Sequence, residues 1–486
     1  MSENFVNALV DESKWTKTAN GAHATNTTNN SLVDLFGTIG ALRTRSSNEV
    51  ERLFGAAFAE DKLLAMKMSF YARNIRGGLG ERQTPRVIWN FIARANPELM
   101  KKNLENVFKF GRFDDLYIFI GTTVESEMWN VIKKQLFADM ENLKAGEPIS
   151  LLAKWLKSAN ASSKETRELG RKTAKALNMT IESYRKILSQ MRAYIDVTEV
   201  KMTAKEWDKI NYSGVPSKAM NNYRKAFDKN DGARFTTFIE KVVSGEEKIN
   251  ASTLFPYDLT EKYMSRTRAV DPVLEAQWNA LPNYIEGENN ILVMADVSGS
   301  MSGRPMATSV GLAIYFAERN QGIFKNLYMT FHDHPKLIQV KGDTLFEKVN
   351  YVMRTGVGYS TNLEAAFKLV LNAAIEGNLS QDAMPKSIVV ISDMEINCCS
   401  DVNRWTFYDS MKAKFAASGY TIPNIVFWNV NSGRDTFHAF SDYKGVQLLS
   451  GQSPSQFKTL VANIGLTPYE AMFNTLSDPM YDCVTL

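Results

Sequence analysis

Asn290–Gly303 constrains this chain more than any other stretch: five apolar residues, Ile291–Ala295, stop at an aspartate and give way to a turn of serines and glycines. A short apolar run with no polar face predicts a strand buried on both sides in a parallel sheet. The turn after it carries Asp296, Ser298 and Ser300 at alternate positions, and a helix is predicted from about Pro305. Oxygen ligands spaced in this way can face one hard cation. Mg²⁺ takes octahedral oxygen and usually retains several waters. The competing reading is a helix-capping turn, since Asp and Ser are preferred there.

Two later stretches favour the cation. Gly358-Tyr-Ser-Thr361-Asn362 precedes an amphipathic run, Leu363 to Ile375, and offers Thr361 as a further hydroxyl. Ser387-Ile-Val-Val-Ile-Ser-Asp393 is a second apolar strand ending in an aspartate. In an open α/β sheet the carboxyl ends of the central strands converge on one crevice, where ligands bind. The order D-x-S-x-S, then Thr, then Asp closely resembles the metal-ion-dependent adhesion site of von Willebrand factor A domains, over roughly residues 290–486. That resemblance implies Ser298, Ser300 and Thr361 as direct ligands, with Asp296 and Asp393 acting largely through waters. The ion would be Mg²⁺, or Mn²⁺ or Ca²⁺ in its place, with a coordination position left for a partner's Asp or Glu.

At 486 residues the chain is too long for one ordinary core, so two or three domains are expected. No apolar run reaches the length of a transmembrane helix, and the polar N-terminus lacks the apolar core of a signal peptide. Three cysteines, with Cys398 and Cys399 adjacent, cannot build a disulfide framework or a zinc ribbon, which points to the cytosol. The net charge of +4 is unevenly spread: residues 291–486 hold 15 Lys/Arg against 17 Asp/Glu, so the basic surplus lies wholly in the earlier part.

Residues 1–30 are rich in Asn, Thr and Ser and read as a flexible arm, wandering or laid over another subunit. From Ser31, apolar residues recur at helical spacing through one short helix after another, and strand-like alternation is nearly absent before residue 288. A long run of short helices predicts an α-solenoid rather than one bundle. Thr253–Asn289, with Pro256, Pro272 and Pro282, looks like the passage into the second domain, the connector proper being 271–287. Beyond it, strands alternate with helices, as in a doubly wound, Rossmann-like sheet. His332 and His334 are a poor metal pair on their own and read as residues of a surface hairpin. The expected fold class is therefore α + α/β.

Three stretches of the helical half carry chemistry. Arg73-Asn-Ile-Arg76-Gly-Gly-Leu-Gly80-Glu-Arg82 places arginines, which fork onto phosphates, beside glycines that let backbone approach closely; it reads equally as a helix C-cap. It lacks the form of a nucleotide-hydrolysing phosphate loop. Phe110-Gly-Arg112-Phe-Asp114-Asp115-Leu116 reads as a tight turn between helices, with Asp114 capping the next helix and pairing with Arg76 or Arg112. From Lys154 to Arg192 there are ten basic residues (Lys154, Lys157, Lys164, Arg167, Arg171, Lys172, Lys175, Arg185, Lys186 and Arg192) against three acids, with Trp155 and Tyr184 interleaved. Charge and aromatics together suit RNA or DNA, phosphates giving affinity and bases stacking; the alternative is a solvated helix face.

Taken with Tyr212–Met220, these motifs resemble a family of plant and viral proteins that pair a helical module with an A domain. That family is a distant relation of TROVE-module proteins such as the Ro autoantigen. The resemblance spans most of residues 40–486 and implies a HEAT-like ring or crescent over 31–270 closed by an A-like domain over 288–486. It also implies small structured or single-stranded RNA as ligand; by their charge, Arg76 and the basic face are the expected contacts. No nucleophile–base pair stands out, so a non-catalytic binding protein is expected. The alternative is a self-assembling or virion-associated structural protein, whose place would be the host cytoplasm or the virion.

Overall fold

A computed structural model describes residues 12–265, 268–285, 290–355, 360–397 and 406–486. Cys398, Cys399, Gly358 and Tyr359, invoked above, lie outside these residues. The chain is mixed α/β: mostly helical up to Asn279, followed by a mixed six-stranded sheet with its helices.

The sheet contains β3 (Ile291–Ala295), β4 (Leu327–Met329), β5 (Leu337–Gln339), β6 (Ser387–Ser392), β7 (Asn424–Asn429) and β8 (Val446–Ser450), in the order β5-β4-β3-β6-β7-β8. All neighbours are parallel except β4 and β5. Every residue of β3 and β6 is buried, as unbroken apolar runs require. From β3 the chain winds outward through β4 and β5, then crosses back to β6 on the opposite flank. The winding therefore reverses between β3 and β6, and the loops leaving their carboxyl ends part there to open a crevice.

The helical half begins and ends against the C-terminal half. Ser450, closing β8, donates its hydroxyl to Phe36 O at 2.9 Å and accepts from Gly40 N at 3.0 Å. A Cβ on Gly40 would lie 2.6 Å from Ser450 O, so only glycine permits this approach. At the other end, helix Pro256–Ser265 crosses helix Arg304–Arg319, with Thr260 Oγ1 donating to Ala307 O at 2.8 Å. The C-terminal residues return to the helical half, where Asn103 and Asn106 donate to Thr485 O and Cys483 O, both Tyr71 and Phe110 packing on Tyr481. One apolar core runs from Ala22 through both halves to Val484, and a smaller one gathers within 210–276 around Tyr212, Phe227, Phe235 and Phe238.

Two sequence expectations change. Residues 12–30 are not a loose arm: β1 (Trp15–Lys17) and β2 (His23–Thr25) form an antiparallel hairpin that joins Phe437 and Asn397 by isolated bridges. Ala22, Ala24, Thr25 and Thr28 are buried there, small side chains suiting a strand pressed onto other backbone. The 271–287 connector opens with a packed helix, Pro272–Asn279, because proline at the first helical position costs no hydrogen bond.

Candidate functional site

The register of β3 on β6 sets Ala295 beside Ile391, so the two strands release their aspartates almost level. Asp296 N still donates to Ile391 O at 2.9 Å; beyond that the chains part. Ser392 sits between the acids, its hydroxyl 2.8 Å from Asp296 Oδ2 and 3.5 Å from Asp393 Oδ1. Asp296 Oδ1 accepts from Ser298 N at 2.9 Å, which curls the turn and brings Ser298 Oγ within 3.1 Å of Ser300 Oγ. Asp296, Ser298, Ser392, Asp393 and Thr361 are all buried, and Ser300 faces solvent.

Thr361 reaches this place through Asn397. Asn397 N donates to Thr361 O at 2.9 Å, and Thr361 N donates to Asn397 Oδ1 at 3.2 Å. Ser360, one residue earlier, lines the same small pocket as Asp296, Ser298 and His332, with room for about one water. The structure thus gathers Asp296, Ser298, Ser300 and Asp393 at one lip of the sheet, with Thr361 tied to the segment after Asp393 through Asn397. It adds two that spacing could not reveal: Ser392, hidden inside an apolar strand pattern, and Asn397. His332 and His334 sit in the turn of the antiparallel β4–β5 hairpin, as expected, and His332 also borders this pocket.

The electrostatics suit a cation. Burial, reinforced by the neighbouring charge of Asp393, pushes Asp296 up to about 6. Hydrogen bonds from Ser298 and Ser392 act in the opposite sense. Two adjacent carboxylates and an outward pair of hydroxyls form a set of hard oxygens that a divalent ion would neutralise. Among the described residues no three His, Cys, Asp or Glu side chains converge, so any ion here rests on hydroxyls and waters. Backbone strain lies at the same spot. Met394 has φ +66°, a conformation costing about 1–2 kcal/mol for a residue with a side chain. Ser392 Oγ accepts from Met394 N, and His438 Nε2 donates to Met394 O at 2.9 Å.

The basic stretch forms one wall of a groove of about 1530 Å³. Lys154, Lys157, Arg185, Lys186 and Arg192 line it, joined by Arg82 and Arg112, which the charge count missed because they come from the preceding motifs. Arg112 stacks on Trp155 at 4.0 Å. Arg192 is largely spent on structure, donating to Ala153 O, Ser158 Oγ and Leu156 O. Arg171 and Lys175 are exposed outside the groove, Lys172 pairs with Glu125 at 2.8 Å, and Arg167 bonds Ala161 O.

Arg76 also lies outside the groove, its guanidinium 3.5 Å from Lys109 O. The rest of its motif is architectural. Arg73 and Arg86 clasp buried Asp115, Arg82 and Arg112 hold Asp114, and Glu81 accepts from Arg43. Ser455 donates to Gly78 O, tying the glycine turn to the C-terminal half. Asp114 therefore pairs with Arg112 and not with Arg76.

Comparison with other proteins divides the chain at the point where the sheet begins. The profile of the family described as Domain of unknown function (DUF2828) matches residues 18–144 and 133–291, more than half of the chain. The chain belongs to this family. The profile described as Domain of unknown function (DUF7788) matches residues 290–476, so every candidate cation ligand falls inside it and the basic groove falls inside DUF2828. A relative, uncharacterized protein L728 of Acanthamoeba polyphaga mimivirus, is 28% identical over 94% of this chain and 86% of its own length. DUF2828 thus begins at the β1–β2 hairpin, in agreement with that hairpin's being part of the fold.

Proposed function

We propose that this DUF2828 protein is a non-catalytic binding protein whose C-terminal half is a von Willebrand factor A-like domain with a Mg²⁺-dependent adhesion site. The observation that carries the reading is the meeting of Asp296 and Asp393 on Ser392, beside the Ser298–Ser300 hydroxyl pair. It lies where the winding of the sheet reverses, the place where open α/β sheets bind ligands. Ser298, Ser300 and Thr361 would hold the ion directly. Asp296 and Asp393 would supply charge through waters, and a carboxylate of a partner would complete the coordination.

Thermal unfolding tests this. Mg²⁺ at one hundred times its dissociation constant stabilises a folded protein by roughly 2.7 kcal/mol, and EDTA reverses it. Asp296→Asn and Ser300→Ala are expected to fold and to lose the Mg²⁺-induced rise in Tm. An equal rise in all three proteins would place the ion elsewhere.

A second activity is favoured by the groove. We infer that the helical half is a HEAT-like, TROVE-like module that contacts RNA there, Arg112 and Trp155 offering a stacking platform and Lys154, Lys157, Arg185 and Lys186 the charge. One end of the helical half on β8 and the other on helix Arg304–Arg319 suit the ring of Ro-type proteins. The self-assembling reading, in which the adhesion site grips a neighbouring copy, predicts particles that EDTA disperses.

A further inference from the structure

The hairpin at the start of the described chain grips the segment that joins two of the candidate ligands. Between β1 and β2, Thr18 Oγ1 donates to Ile396 O at 2.7 Å, Asn20 Nδ2 donates to Glu395 O, and Ala19 N donates to the Glu395 carboxylate. Gly21 and Asn397 form an antiparallel bridge. Three consecutive residues, 395–397, are thus held from one side by a tip some 376 residues earlier in the chain.

The other side of the same segment faces the cation site. Glu395 N donates to Asp393 Oδ1 at 3.1 Å, and Asn397 exchanges two hydrogen bonds with Thr361. The backbone between Asp393 and Glu395 is the left-handed Met394, which does not keep that shape without support. Besides the Glu395 N–Asp393 bond, Ser392 and His438 hold Met394 itself, and the hairpin holds the residues that follow it.

We propose that the β1–β2 hairpin is a positioning strap for the cation site, with Thr18 and Asn20 as positioning residues that set Asp393 and Thr361 through the 395–397 segment. The proposal rests on the adhesion-site reading above. Groups that orient metal ligands without touching the metal typically alter affinity by 10–100-fold. Coupling is also reciprocal: an ion that fixes Asp393 and Thr361 must tighten the hairpin by the same factor.

Mn²⁺ titration followed by electron paramagnetic resonance tests this on the full chain. Thr18→Val with Asn20→Ala is expected to weaken Mn²⁺ at least about tenfold while leaving Tm in EDTA within a few degrees of the parent. Thr18→Ser, which keeps the hydroxyl, is expected to bind as the parent does. Parent and double variant binding Mn²⁺ within twofold of each other would overturn the strap and leave the adhesion site standing. A parent that binds no Mn²⁺ would overturn the adhesion site and the strap with it. Should the double variant unfold, hydrogen exchange of the parent decides: Mn²⁺ is expected to slow exchange across residues 15–25, and unchanged exchange there, with the ion bound, would contradict the strap.

Discussion

At the scale of single residues, the site combines groups that are costly to bury. Asp296 and Asp393 are readable from sequence because each ends an apolar run, whereas Ser392 is masked by belonging to one. His438 carries no sequence signal, yet it is wholly buried and neutral, its Nε2–H given to Met394 O and its ring pushed by burial down to about 4. An unfolded histidine titrates near 6.5. Below that pH the unfolded chain takes up a proton that the folded chain refuses. This contribution to stability is therefore complete above 6.5 and is lost as pH falls towards 4, by up to about 3 kcal/mol. Urea unfolding at pH 7, 6 and 5 is expected to show this decline, and His438→Gln to flatten it; parallel slopes for the two proteins would contradict the assignment. Asp115 is the second residue-scale case. Its carboxylate is fully buried between Arg73 and Arg86, so Asp115→Ala is expected to cost about 3–5 kcal/mol in chemical denaturation, by stranding buried Arg73. A loss below about 1 kcal/mol would show that the cluster is not structural.

At the scale of elements, periodicity revealed what repeats and concealed what is borrowed. The helices from Ser31 onward and strands β3, β6 and β7 follow from 3.6-residue spacing and apolar runs, which are local properties. The β1–β2 hairpin leaves no local signal because its strands are three residues each, too short to show alternation; its partners, Phe437 and residues 395–397, stand far along the chain. The prolines of 253–289 read as a connector, yet Pro256 and Pro272 start helices. The groove wall shows a contact of the same borrowed kind. Gly170, in helix Lys164–Ala176, lets that helix lie on Ser158 and Ala159, where a Cβ would come within 2.5 Å of Ser158 backbone. Gly170→Ala is expected to destabilise by about 1–3 kcal/mol through overpacking, despite alanine's better helix propensity. A rise in Tm would mean that the helix does not press on this loop.

At the scale of the whole molecule, the two halves form one continuous core, while the family profiles meet where β3 begins. The basic surplus of the helical half was legible as composition; its placement was not. Folding turns Lys154, Lys157, Arg185 and Lys186 into one groove with Arg82 and Arg112, and leaves Arg171 and Lys175 outside it. If RNA lies in that groove, reversing Lys154, Lys157, Arg185 and Lys186 to Glu abolishes binding, whereas reversing Arg171 and Lys175 changes it only slightly. For the parent, log affinity is expected to fall with log salt by about 0.7 for each phosphate neutralised on a single strand. Equal losses from the two sets would return the contact to the outer helix face. The claim on which most depends is the cation between β3 and β6, and a crystal grown with Mn²⁺ and examined by anomalous scattering tests it most directly. The expected result is one peak roughly 2.1 Å from Ser298 Oγ, Ser300 Oγ and Thr361 Oγ1, with Asp296 and Asp393 linked to it through waters. A saturated crystal with no peak there, or with Thr361 turned away from the Ser298–Ser300 pair, would contradict the account.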